Sequence, residues 1–151
     1  MKAKDIMVTD FPVIPIQTSV EDAVRMLRTN QDENHLHATP GFIVVNEKGD
    51  LAGILSPLTI IRALLDVAEE TGTDCSGAQL SLTDLCSKIK GRTLEEIMDW
   101  QPISVTEDAD ILDVADLFVK NRFQRIPVVK GKKVLGIIYR SRLLFSMTQC
   151  F

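Results

Sequence analysis

The residues with the plainest capacity for chemistry stand in one run, RIPVVKGKKVLGIIYRSRLL, from Arg125 to Leu144. It carries six basic residues, Arg125, Lys130, Lys132, Lys133, Arg140 and Arg142, and no acid. Guanidinium and ammonium groups donate hydrogen bonds and accept none. Such a set is suited to holding an anion, a phosphate above all, unless it is only a solvated basic face. Catalysis has no comparable signal. The chain shows no Gly-rich phosphate loop, no Ser/His/Asp arrangement and no paired-carboxylate motif, so turnover is not expected. His35 and His37 form an H-x-H beside Asp32 and Glu33, but spacing fixes no third ligand and no metal is predicted. Cys75, Cys86 and Cys150 are odd in number and lack C-x-x-C spacing, which reads as reduced thiols, with Cys86 in the core of a short helix. Trp100, between Met98 and Pro102, reads as a packing plug.

The elements that must position the basic run follow from apolar pattern and turn residues. Ile126–Val129 and Val134–Ile138 are two β-rich runs meeting at Gly131, a hairpin, and Leu143, Leu144 and Met147 belong to the helix that follows. Upstream, Pro102 precedes a short strand, Ile103–Thr106. Asp110 with Asp113 then opens a helix whose Ile111, Val114, Ala115 and Phe118 recur at helical spacing. The same plan occurs once before. Pro12 precedes a strand, Val13–Ile16; Ser19 with Asp22 opens a helix carrying Ala23, Val24 and Leu27; Phe42–Val45 and Leu51–Leu55 flank a turn, Glu47–Asp50; and Leu58, Ile61, Leu64 and Leu65 mark a last helix. KDIMVTDFPVIPIQTSVEDAVRML lies over LEEIMDWQPISVTEDADILDVADLF, and Val44-Val45 and Gly53 lie over Val128-Val129 and Gly136. Each copy therefore reads strand, helix, strand, strand, helix. Between the copies, Glu69–Ala78 reads as a loop and Ser81–Lys90 as an amphipathic helix. A further small helix, Thr93–Met98, opens copy two with a capping-box pattern at Thr93 and Glu96.

Bulk properties narrow the function classes. The chain has 151 residues, 45% of them hydrophobic, which suffices for a packed core. Neither a signal peptide nor a membrane span is visible, so the cytoplasm is the expected location and no membrane partner is expected. The net charge of −4 is unevenly placed: residues 1–75 hold 6 Lys/Arg against 12 Asp/Glu, and residues 76–151 hold 11 against 9. After Asp116 there is no acid at all. An acidic chain with 5% aromatic residues makes a nucleic-acid or polyanion binder the least favoured reading.

The D-I-M opening before a proline, the V-x-x-A helix, the R-I-P-V-V strand and the G-I-I strand running into a helix resemble tandem CBS domains, named for cystathionine beta-synthase. The resemblance covers residues 2–65 as repeat one and 92–148 as repeat two, with 66–91 as a linker. It implies an α/β fold of two pseudo-twofold-related repeats, each with a small mixed sheet packed on two helices. It also implies a regulatory module that binds AMP, ADP, ATP or S-adenosylmethionine between its repeats. Because the chain runs from repeat one to the last helix of repeat two, its output is expected to act in trans on an effector protein. The exposed faces of the paired last helices, Leu58, Ile61 and Leu65 with Leu143, Leu144 and Met147, further point to a homodimer.

The resemblance also supplies the candidate ligand residues. Arg125 matches a position where nucleotide-binding relatives place a basic residue, with the adenine expected against Ile126-Pro127 and Arg142 near a helix N-terminus. Thr106, Tyr139, Ser56 and Thr59 complete the set. The family's ribose contact is a Ser/Thr, two residues, then Asp; here the matching positions read Ser56-Pro57-Leu58-Thr59 and Tyr139-Arg140-Ser141-Arg142. Neither copy has the carboxylate, and Gly41 stands where Arg125 stands in copy two. The two clefts are therefore expected to differ. A ligand-free dimeric scaffold is the alternative.

Overall fold

The computed structural model describes residues 1–29, 41–71, 81–98 and 102–151. The H-x-H pair at His35 and His37 with Asp32 and Glu33, Cys75, Trp100 and most of the predicted Glu69–Ala78 loop lie outside the described residues.

In chain order the elements are α1 (Ala3–Ile6), β1 (Val13–Pro15), α2 (Val20–Thr29), β2 (Phe42–Val45), β3 (Leu51–Leu55), α3 (Pro57–Thr71), α4 (Leu82–Ile89), α5 (Leu94–Ile97), β4 (Val105–Thr106), α6 (Ile111–Asn121), β5 (Arg125–Lys130), β6 (Lys133–Tyr139) and α7 (Arg140–Met147). Two three-stranded mixed sheets result, ordered β1-β2-β3 and β4-β5-β6. In each, the first pair is parallel across an intervening helix and the second is an antiparallel hairpin. The hairpin turns use Gly49 and Gly131 at positive φ. Ser19 Oγ accepts from the Asp22 amide at 3.1 Å, and Asp110 Oδ1 accepts from the Leu112 amide at 2.9 Å, so both crossover helices begin at the expected polar caps.

Five local readings are corrected. Strand β4 starts at Val105 rather than Ile103, and α3 continues through Glu69 to Thr71 where a loop was expected. Thr93 is the N-cap of α5 but makes no side-chain cap bond; its backbone bridges Ser19 instead. Cys86 is exposed on the outer side of α4, while Leu85 and Ile89 face inward. Leu143 is buried, so it belongs to the core and not to the outer face of α7.

Neither half completes its own core. Leu94 and Met98, from the start of the second half, pack with Ile14, Val20 and Leu55 of the first. Conversely, Ala3 and Ile6 of α1 pack with Val114, Phe118 and Ile138 of the second. Backbone bonds fix both exchanges: Leu94 N–H donates to Thr18 O at 2.9 Å and Ala3 N–H to Ala109 O at 2.9 Å. Val8 and Ile137 exchange two bonds of 2.7 and 2.9 Å, which adds a short bridge to the edge of β6. Close approach is allowed by matching glycines. A Cβ on Gly136 would stand 2.8 Å from Val8 O, and one on Gly53 would stand 2.8 Å from Met98 Cε. Between the sheets, Ile43, Ile137 and Tyr139 form a third apolar cluster with Phe11, Ile54 and Val134 packed around it.

Candidate functional site

The site is built at the seam between the two sheets, around Arg125. This residue opens β5 and pairs in register with Tyr139, the last residue of β6. Its side chain is 6% exposed, and its guanidinium carbon lies 5.5 Å from the Tyr139 ring centroid, over the aromatic face. The far end of the side chain reaches the first half: a Cβ on Gly41 would stand 2.8 Å from Arg125 Cζ and 3.0 Å from Leu55 O. Arg125 thus occupies the space left by the glycine at its own equivalent position. Burial lowers the Arg125 pKa from its usual value and Tyr139 opposes that shift; the group remains a cation at neutral pH.

The remaining candidates are placed as follows. Ile126 is fully buried in the second core, opposite Ile138, and Pro127 is fully buried opposite Ile137. Tyr139 is buried and forms the N-cap of α7 without a side-chain cap bond. Arg142 donates from Nε to Ile6 O at 2.7 Å and so holds the C-terminal carbonyl of α1. Thr59 Oγ1 accepts from the Ser56 amide at 3.1 Å and lies 3.3 Å from Ser56 Oγ, a local cap at the start of α3. Thr106 pairs with Val129. That places it four residues along β5 from Arg125, about 13 Å away at strand rise. The structure therefore brings Arg125, Tyr139 and Gly41 together, with Ile126 and Pro127 next in the strand, and leaves Thr106 apart.

The other cations of the basic run are distributed over the hairpin. Lys133 Nζ pairs with Asp50 Oδ1 at 2.9 Å and also donates to Lys48 O. The amide of Leu51 bonds Lys132 O at 2.8 Å, so the two hairpin tips are joined. The Lys133 hydrogen bond, helped by the charges of Lys133 and Lys132, holds the Asp50 carboxyl below the ordinary aspartate range against the effect of burial. Arg140 Nη2 donates to Gln124 Oε1 at 3.0 Å, and Lys130 and Lys132 are exposed. Gly41 and the Ile6 carbonyl were not legible as partners. The only signal for Gly41 was its repeat equivalence to Arg125.

Two three-stranded sheets that exchange entry helices across a seam, each followed by a helix at the end of its hairpin, make up a repeated domain. The family profile described as CBS domain matches residues 3–66 and 94–148. The chain belongs to the CBS-domain family. The CBS domain-containing protein CBSX1, chloroplastic, of Arabidopsis thaliana is 25% identical over 150 residues, covering 93% of this chain; the chain spans 60% of that relative's length. Among solved structures, CBSX2 in complex with AMP superimposes with a TM-score of 0.71 at 22% identity, covering 99% of this chain and 97% of that one. The CBS domain pair of MJ0100, in complex with 5′-methylthioadenosine and S-adenosyl-L-methionine, gives 0.68 at 22% identity, covering 100% and 98%. The cytosolic domain of the Mg2+ channel MgtE in complex with ATP gives 0.67 at 23%, covering 96% of this chain and 48% of that one. At these identities the likeness establishes the CBS-pair fold. No helix among the described residues is long and apolar enough to cross a membrane.

Proposed function

We propose that this CBS pair is a regulatory sensor that binds an adenine nucleotide or related adenosyl ligand between its repeats and signals in trans to a partner protein, as a homodimer. The observation that carries the reading is the buried guanidinium of Arg125 at the seam. Desolvation penalises this cation, and the charge of a phosphate would offset that penalty. The start of α7, with Arg140 and Arg142 and no acid in its first turn, adds positive potential on the same side of the hairpin. Three CBS-pair neighbours bind AMP, ATP, and S-adenosylmethionine with methylthioadenosine, which supports the ligand class. CBS pairs are regulatory modules as a rule, and no turnover is expected.

Recognition would fall on phosphate rather than ribose. Thr59 is engaged in its own helix cap and Arg142 offers donors only, so no carboxylate accepts from the sugar hydroxyls at either matching position. Calorimetry against AMP, ADP, ATP and S-adenosylmethionine tests this. Hydrogen bonds to a charged group contribute roughly 1.5–3 kcal/mol, so Arg125→Ala is expected to weaken binding by about tenfold to a hundredfold. Adenosine is expected to bind poorly, and 2′-deoxy analogues almost as well as their ribose parents. No binding at millimolar concentration, or an unchanged affinity in Arg125→Ala, overturns the reading. The second reading, a ligand-free dimeric scaffold, then takes its place; it is favoured by the Arg125 side chain itself filling the space over Gly41.

A further inference from the structure

Outside the seam, basic charge is gathered where the two hairpin tips meet. Asn46 Oδ1 accepts from the amides of Lys48 and Asp50 at 2.9 and 3.0 Å and closes the first tip, while Gly131 at positive φ turns the second. The Leu51–Lys132 backbone bond and the Lys133–Asp50 ion pair lace the tips together. Lys48, Lys130, Lys132 and Lys133, drawn from both hairpins, are thereby presented, all exposed, on one end of the molecule. Lys130 stands directly opposite Lys133 across the β5–β6 pair, a like-charge placement that costs stability unless an anion offsets it. Asp50 offsets Lys133. Among the described residues, Lys48, Lys130 and Lys132 have no ion pair, and Glu47 is the one other acid within residues 46–51 and 130–134.

We propose that the laced hairpin tips are a docking surface for an acidic segment of a protein partner, a short run of Asp and Glu side chains laid across Lys48, Lys130 and Lys132. The proposal goes beyond the nucleotide reading of the seam and does not rest on it. Lysines are flexible point charges, suited to carboxylates spread along a chain rather than to the bidentate clamping of one phosphate. Neither tip carries an aromatic ring on which a base could stack, which selects against nucleic acid. Among the described residues, none of the exposed large apolar side chains lies at the tips, so nothing there inserts into a lipid surface. The net charge of −4 also repels a broad anionic surface, whereas a short segment lies within a screening length of the tip lysines alone.

Fluorescence anisotropy with the full chain and a labelled peptide of about ten glutamates tests this, with binding expected at about 50 mM salt and severalfold weaker binding at about 150 mM. Lys48→Glu, Lys130→Glu and Lys132→Glu together are expected to weaken binding by at least about tenfold. Arg28→Glu, Lys88→Glu and Lys90→Glu together make the same change in net charge at exposed positions elsewhere, and are expected to alter binding by less than about twofold. Should charge reversal disturb the tips, the neutral triple Lys48→Gln, Lys130→Gln and Lys132→Gln is expected to lose about threefold to tenfold. No binding at millimolar peptide, equal losses in the two charge-reversed triples, or no loss in the neutral triple overturns the proposal. So does tighter binding of oligouridylate of the same length, or of vesicles of phosphatidylserine and phosphatidylcholine in equal parts, than of the peptide.

Discussion

Arg125 is the buried charge at the seam, and its position depends on what is missing at residue 41. The guanidinium lies where a side chain of the first half would lie, and Tyr139 provides an aromatic face in place of full solvation. In Gly41→Ala the new methyl evicts the guanidinium tip, which sits at the end of a flexible side chain. The stability cost is expected to be about 1 kcal/mol. Tyr139 is the one tyrosine of the chain, so its ring signals report the move by NMR. Nucleotide affinity is expected to fall together with the ring shift. Unchanged ring resonances in Gly41→Ala would show that Arg125 does not lie over Gly41.

Among the elements, the two entry segments are equivalent in sequence but not in tolerance. The Met98 segment touches the Gly53 position with a flexible methyl, whereas the Met7–Val8 segment touches Gly136 with a backbone carbonyl. Gly136→Ala is therefore expected to cost about 1–3 kcal/mol, or about 3–10 °C in melting temperature, and Gly53→Ala under about 1 kcal/mol. Equal losses would contradict the rigid approach of Val8. At the hairpin tips, Lys133 lowers the Asp50 pKa. A carboxyl depressed in the folded state contributes stability above its unfolded pKa and loses it as pH falls through the lowered folded value. In Lys133→Met the Asp50 carboxyl titration, followed by carbon-13 NMR, is expected to move back up, and stability is expected to depend less on pH below about 4.

Across the whole molecule, the exchange of α1 and α5 makes each core depend on a segment from the other half of the chain. Ile6 is 136 residues from Arg142, which holds its carbonyl, and it packs under α6 and β6. Ile6→Ala is expected to cost about 2–5 kcal/mol. Hydrogen exchange should quicken in β5, β6 and α6 more than in β2 and β3, although the substitution lies in the first copy. Faster exchange confined to residues 1–71 would contradict the exchange of entry helices.

Much of this was present in the chain alone. The repeat, the order of strands and helices in each copy, the two hairpins and the caps at Ser19 and Asp110 rest on apolar periods and turn residues that act within a few positions of one another. That neither Thr59 nor Arg142 is a carboxylate is a matter of residue identity and needs no structure. Contacts over long separations have no such local trace. Only the tertiary structure decided that α1 completes the second core, that Arg142 caps the Ile6 carbonyl, that Lys133 joins Asp50, and that Arg125 crosses to Gly41. Leu143 and Cys86 were misjudged for the same reason: an apolar or small residue on an amphipathic helix can face either way, and the neighbour that packs against the helix settles which side is buried.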